Sequence, residues 1–580
     1  MDRSTTIAQV LANDDARAVV ERHLTGLLNS PMVLQLTSAR LGQLTQMVPA
    51  TREDPALAEA LWADLSRVDD DGSPTRVYAP RLQPDPGYES ADVATGSARL
   101  TVPTEVPRWG VVELVVDGPS HGNPFVDVEL SATFRHGDLT LQAGGFYDGD
   151  GVYKIRLLAE HEGEWTFETS STARSLDGLR GSVSIGPPAP GAHGPVRVQG
   201  FHFQHADGTR HRPLGTTCYA WTHQDADLEE RTLASLAASP FTKLRMCLFP
   251  KSYLYNSNEP PRYPFVQRDD LSWDLERFDP DYFRHLESRI ADLGALGIEA
   301  DLILFHAYDR WGFADLGPAV DDRVVTYVVR RLAAYANVWW SLANEYDLLW
   351  SKTEEDWERL AAVVGANDPH AHLNSIHNCF SFYDYSRPWI THVSAQRTDV
   401  YRTAENTDAW REQWQKPVVI DECAYEGDID QGWGNITGEE MTRRFWEGAV
   451  RGGYVGHGET YLADDEVLWW SKGGTLHGTS PSRIAFLESV LAESPTGVLD
   501  PLPSEWDVPW GGVAGEYAIG YFGFNRPRFR TVVLPEGDFL VDVLDTWNAT
   551  VQPLPGVHSG VVRVDLPGVP YMAVRYRRAP

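Results

Sequence analysis

Cysteine is scarce in this chain, 4 in 580 residues. Cys218, Cys247, Cys379 and Cys423 show no paired spacing, and each lies in or just beyond an apolar, strand-like run. That usage excludes a disulfide framework and a cysteine-based zinc site, and it suits free thiols in a reducing compartment. Positive charge is also in deficit: 50 Lys and Arg face 82 Asp and Glu, a formal net charge of −32. Such a surface repels phosphate backbones and anionic membranes, so neither nucleic acid nor a membrane is an expected partner. No apolar run approaches the roughly 18 residues of a membrane span. The start, Met1-Asp2-Arg3-Ser4-Thr5-Thr6, has no apolar core of a secretory signal. The cytoplasm is therefore the expected location. A phosphate-cradling glycine loop and a dinucleotide fingerprint are both missing, and no cofactor is expected. His370, His372 and His377 lie close together, but their spacing fits no helix-borne ligand pair. No metal is expected either.

What the chain does have is aromatic side chains, 11% of the total with 20 Trp and 23 Tyr, and many turn formers, 49 Gly and 38 Pro. Rings of this kind stack on sugars, although β-rich cores also use them, so composition leans only mildly towards carbohydrate. At this length three or four domains are expected.

Residues 1–70 read as helical. Val19, Val20, Leu24, Leu27 and Leu28 share one face, and Asp54-Pro55 opens a second helix carrying Leu57, Leu61 and Leu65. The segment suits packing on a neighbouring domain or a contact between copies of the chain, and the sequence leaves both open. After a linker rich in Asp, Pro and Gly, residues 97–190 change to short alternating strands, the pattern of an immunoglobulin-like β-sandwich. Val126, Val128, Leu130, Ala132 and Phe134 make one such run, and Val152, Ile155 and Leu157 another. Asp148-Gly149-Asp150-Gly151 resembles the start of a calcium loop but lacks the glutamate at its twelfth position, and it reads as a hairpin turn.

Between 197 and 497 strand-like and helical runs alternate. Strands are expected at 214–219, 243–249, 299–305, 338–342, 373–377, 390–394, 417–420 and 453–457, with helices between most of them, among them 280–296 and 354–364. Eight such units in about 300 residues fit a (β/α)8 TIM barrel. Alternation returns at 518–524, 531–534, 539–544 and 572–576, giving a C-terminal β-sandwich over 500–580. The expected fold is thus multidomain: a helical segment, a β-sandwich, a central barrel and a second β-sandwich.

Two strands of that barrel end in chemistry. Asn337-Val338-Trp339-Trp340-Ser341-Leu342-Ala343 runs into Asn344-Glu345, and Lys416-Pro417-Val418-Val419-Ile420 runs into Asp421-Glu422. By the strand count, Glu345 closes the fourth strand and Glu422 the seventh, at the barrel face where such enzymes keep their active sites. Two carboxyls there suit the splitting of a glycosidic bond.

This pattern resembles the clan A (4/7) glycoside hydrolases. The resemblance implies that Glu345 is the acid/base, Glu422 the nucleophile and Asn344 the residue that meets the substrate 2-hydroxyl. Arg245, at the end of the second strand, would hydrogen-bond the nucleophile. Within the clan the chain looks like a bacterial subgroup of sandwich–barrel–sandwich proteins. The stretches behind that likeness are Leu244-Arg245-Met246-Cys247-Leu248-Phe249-Pro250-Lys251, Phe305-His306-Ala307-Tyr308-Asp309-Arg310-Trp311-Gly312-Phe313 and Asp421-Glu422-Cys423-Ala424-Tyr425-Glu426-Gly427. His457-Gly458-Glu459-Thr460-Tyr461 and Leu468-Trp469-Trp470-Ser471-Lys472-Gly473-Gly474 add to it.

Further substrate contacts are expected from residues following the first, third and eighth strands: His223, His306, Asp309, Trp311, His457, Glu459, Trp469, Trp470 and Lys472. Of the adjacent Trp469 and Trp470, only one is expected to face the pocket. Gln396 stands where the clan often has a His or Tyr, so support of Glu422 from the sixth strand is not implied. The expectation is a retaining, exo-acting hydrolase of small glycosides or oligosaccharides, of the β-D-glycoside or α-L-arabinofuranoside type. A catalytically silent carbohydrate-binding or scaffolding protein is the rival, and retention of both glutamates, Asn344 and Arg245 argues against it.

Overall fold

The computed structural model describes residues 1–3, 5–30, 33, 40–42, 45, 48, 50–51, 54–68, 78–397, 399 and 402–580. Eight parallel strands form the central barrel: Gly215–Thr217, Lys243–Cys247, Glu299–Phe305, Val338–Ala343, Asn374–Ser375, Val393–Gln396, Val418–Glu422 and Tyr454–His457. Their spatial order is 5-4-3-2-1-8-7-6 in chain sequence. A bridge between His377 and Ser394 joins the fifth to the sixth and closes the ring. All seven residues of the third strand and all six of the fourth are buried. Both faces of these strands are covered, which is why they read as continuous apolar runs rather than alternating ones. The first and fifth strands are shorter than expected, and the sixth begins three residues later.

A three-stranded antiparallel sheet of Val196–Gln199, His202–His205 and Arg210–His211 caps the lower end of the barrel. There Phe203 is fully buried and packs on Trp339, with ring centroids 5.3 Å apart. The outer helices carry ordinary stop and start signals. Glu354–Asn367, for example, opens with a capping box between Thr353 and Asp356.

The N-terminal sandwich has eight strands, joined into one sheet by the long strand Leu139–Tyr147. Its first half pairs with Leu130–His136 and its last residues with Val152–Leu158. Val126 and Val128 do not belong to a strand. Asn123-Pro124 starts a helical turn over Pro124–Asp127, and the Asp127 carboxylate accepts the Asn123 N–H at 2.7 Å. Proline favours that first helical position, so the strand begins only at Leu130. In the helical segment, Val19, Val20, Leu24, Leu28, Leu61 and Leu65 are buried as their spacing predicts. Six strands in one sheet and two in another make the C-terminal domain. Among the described residues, no helix is long and apolar enough to cross a membrane.

The turn at Asp148 docks the sandwich on the barrel. Asp148 accepts from Arg331 at 2.8 Å and from Lys154 at 2.9 Å. Arg331, on the helix Pro318–Leu332, also reaches Glu287 at 2.5 Å, which in turn pairs with Arg156 at 2.8 Å. Burial would raise the Asp148 carboxyl's pKa, but Arg331 and Lys154 outweigh it and hold it below the usual range. Removing one member of such a buried network leaves the others uncompensated, at a cost of about 3–5 kcal/mol. Arg331→Ala is expected to lose stability of that order in chemical denaturation. A loss below about 1 kcal/mol, the scale of a surface pair, would show that the network does not hold the two domains together.

Candidate active site

The fourth and seventh barrel strands end at one place. Glu345 follows Val338–Ala343 by two residues, and Glu422 is the last residue of Val418–Glu422. Both are buried, with 6% and 7% of their surface exposed. Glu345 has φ +52°, the left-handed region that a residue with a side chain seldom adopts, and Ala424 has φ +71°. Backbone strain of this kind costs of order 1–3 kcal/mol and gathers at functional sites.

The two carboxyls have opposite environments. Burial raises the pKa of Glu345 and the charge of Glu422 raises it further; a bond from the Tyr308 hydroxyl and the charges of Lys251 and His377 only partly offset them. For Glu422 burial acts the same way, but a hydrogen bond and charge from His377, the charge of Arg245 and a bond from Tyr219 bring it down to about 2. His377 Nε2 stands 3.2 Å from Glu422 Oε1 and 3.3 Å from Gln396 Oε1. Its Nδ1 lies 3.0 Å from Ser394 Oγ, whose own proton goes to Asp421 at 2.6 Å. Both ring nitrogens of His377 thus have oxygen partners, and Nε2 bridges Glu422 and Gln396.

Arg245 is placed differently from the expectation. It donates to Asn344 Oδ1 at 2.7 Å and pairs with Asp421 at 3.3 Å, and it acts on Glu422 by charge without a direct bond. Asp421 is committed to Lys243 at 2.6 Å, so a buried ion cluster lies beside Glu422. Asn344 Nδ2 points to Glu345 Oε2 at 3.2 Å.

Of the paired tryptophans, Trp470 lies on the side of the glutamates, against Tyr219, whose hydroxyl bonds Glu422. Its ring packs with Tyr219, Tyr253, Tyr425 and Trp433. Trp469 turns the other way and donates to Thr216 at 2.8 Å. Lys251, which sequence reasoning quoted only as part of a stretch, has its ammonium 3.6 Å from the centre of the Tyr219 ring, 4.4 Å from Tyr308 and 4.7 Å from Trp470.

Several expected contacts lie elsewhere. His306 Nε2 donates to the Phe249 carbonyl, and His223 bonds Tyr282. Burial, first, pulls them down to about 4 and 3, so both are neutral near pH 7. The Asp309 carboxylate accepts the Trp311 and Ala314 N–H groups and shapes its own loop. Trp311 bonds Glu259 at a more open position. Lys472 lines a separate surface groove with Asp225, Glu259 and Asp465. His457 and Glu459 are fully buried against Thr216 and the backbone at 477–478. His370 and His372 are held by Glu160 and Asp368, away from His377.

Sequence reasoning missed Tyr219, Tyr308, Lys251 and His377 as site residues. Each lies at or just beyond a strand end on the catalytic face, and that position was the available signal.

This protonation split gives a pH profile with a sign. If Glu422 acts ionised and Glu345 protonated, kcat/KM should rise with pH through about 2 and fall as pH passes the raised pKa of Glu345. The Tyr308 hydroxyl favours the ionised form of Glu345. Tyr308→Phe should move the falling limb to higher pH, and an unmoved or lowered limb would remove Tyr308 from this role.

Two carboxyls at the ends of the fourth and seventh strands of a (β/α)8 barrel, with opposed pKa shifts, define a clan A glycoside hydrolase. The apiosidase-like catalytic-domain family matches residues 199–488, and two domains of unknown function, DUF5060 and DUF5605, match 105–172 and 506–577. The chain belongs to the apiosidase-like family. A crystal structure from Bacteroides vulgatus, described as that of a candidate glycoside hydrolase, is 37% identical; the match covers 82% of this chain and 100% of that one, with a TM-score of 0.78. A family 5 glycoside hydrolase of Bacteroides vulgatus, 15% identical over 67% of this chain and 94% of its own, has a TM-score of 0.52 and shares the fold. No curated protein matches the chain.

Proposed function

We propose that the chain is a retaining, exo-acting hydrolase of small glycosides or oligosaccharides that works by double displacement. The observation that carries this reading is the opposed shift of the two carboxyls, Glu345 upward and Glu422 down to about 2. An inverting enzyme also needs one acid and one base, but its base faces a water and gains nothing from so low a pKa. A nucleophile must be ionised when substrate arrives, and His377, Tyr219 and Arg245 hold Glu422 in that form. Glu345 then protonates the leaving oxygen, and, once ionised, takes a proton from the water that releases the sugar.

The depth of the glutamates and the ring of Tyr219, Tyr253, Tyr308 and Trp470 favour a terminal sugar over an interior unit of a polymer. Trp470 would stack on that sugar, and the Lys251 ammonium and Asn344 amide would meet its hydroxyls. The sparse, unpaired cysteines favour a reducing compartment, where substrates are small. The sugar is of the β-D-glycoside or α-L-arabinofuranoside type. The family's name makes an apioside, a branched pentofuranoside, the first furanoside to try. A panel of aryl glycosides tests the reading: turnover of one sugar class with release of a single terminal unit is expected, and no turnover across the panel would overturn it.

A further inference from the structure

Just behind the catalytic wall, two short strands pair in parallel, Glu426–Gly427 with Glu459–Thr460. Their register sets Glu426 directly beside Glu459. Like charges opposite one another destabilise a sheet, and here both residues are at most 1% exposed. Among the described residues, no lysine or arginine forms an ion pair with either; their oxygens accept N–H groups from residues 477–480. A Cβ on Gly478 would strike both carboxylates, so the two converge on one point.

His457 supplies the independent observation. It is fully buried, and its Nε2 has no hydrogen-bond partner. One ring nitrogen of His457 and one oxygen from each glutamate lie within 4.8 Å of one another. Nδ1 is 2.9 Å from Thr216 Oγ1. Trp469 Nε1–H donates to the same hydroxyl; in the tautomer whose Nδ1–H also donates there, Nε2 carries the lone pair. A histidine that fixes its tautomer through a second partner while turning a lone pair inward is the usual arrangement of a metal ligand.

We infer that His457, Glu426 and Glu459 form a binding site for a divalent first-row metal ion, Zn²⁺ or Mn²⁺, to which one imidazole and two carboxylates are suited. The ion neutralises the paired glutamates and gives Nε2 its partner. It also ties three pieces of chain together: the loop four residues beyond Glu422, the end of the eighth strand, and the start of the helix Ser480–Ala492. The segment between the last two carries Trp470, which packs on Tyr219 and Tyr425, so the ion stiffens the aromatic side of the site. The ligands deprotonate on binding, so affinity should fall as pH drops.

The test uses the full chain, dialysed against a chelator and titrated with Zn²⁺ or Mn²⁺ alone. One ion per chain, retained through gel filtration, and a Tm several degrees higher with the metal than without are expected. The isosteric Glu459→Gln variant should lose the ion and the Tm response. His457→Ala should do the same, and the wild-type chelation result stands even if that variant fails to fold. A wild-type chain that holds no stoichiometric ion and whose Tm ignores both chelator and metal overturns the site. So does an ion that survives Glu459→Gln but leaves with His211→Ala, which would place it at the His205, His211 and Glu299 cluster at the base of the barrel.

Discussion

Glu422→Ala should lose turnover on every glycoside by several orders of magnitude while keeping its fold. The size follows from the role: without the carboxylate no covalent intermediate forms, and residual binding and electrostatic effects supply only a small part of the original acceleration. The substitution also removes a partner of Tyr219 and of His377; Tyr219 keeps Asn344 Oδ1 at 3.0 Å, and His377 keeps Ser394 Oγ at 3.0 Å and Gln396 Oε1 at 3.3 Å. Local repacking is expected, yet Asp421 keeps its pairs with Lys243 and Arg245, so the ion cluster beside it survives. The measurement is kcat/KM on the best aryl glycoside, with circular dichroism to confirm the fold. Activity within tenfold of the parent would mean that Glu422 is not the nucleophile.

Loss of the acid/base has a different signature. Glu345→Ala should harm two steps unequally, since glycosylation needs a proton only when the leaving group is poor, whereas deglycosylation always needs a base for water. With an activated aryl leaving group the first step persists, the glycosyl-enzyme accumulates, and a burst of phenol precedes slow turnover. Azide needs no base and can enter the vacated space, so it should restore turnover and give a glycosyl azide of the substrate's own configuration. A variant that neither bursts nor responds to azide would take the acid/base role away from Glu345. The side chain also bonds Tyr308, so Glu345→Gln, which keeps an acceptor there, controls for the loss of that contact.

The proposed catalytic pair's place at the ends of the fourth and seventh strands was legible in the sequence because it depends on local signals: a fully buried strand, an abrupt switch to polar residues, and a count of strands. The pair's support was not. Tyr219 and His377 come from the first and fifth strands and meet Glu422 only when the barrel closes, and nothing in their neighbourhoods announces that. His377 was visible chiefly as one of three nearby histidines, a grouping the fold breaks by pairing His370 with Glu160 of the sandwich. His457 and Glu459 misled in the opposite way. Their place after the eighth strand suggested substrate, but strand pairing with residue 426 draws Glu459 inward. The helical turn at Pro124 shows the same limit at small scale, where alternation at 126–134 was overridden by one proline and one capping carboxylate. Trp469 and Trp470 could be parted only by seeing which indole Thr216 accepts.

Proton NMR of the sugar first released is the sharpest test of double displacement with Glu422 as nucleophile. With an active glycoside in D₂O, the anomer that appears before mutarotation should have the configuration of the substrate, because two inversions restore it. Initial release of the opposite anomer would contradict the account.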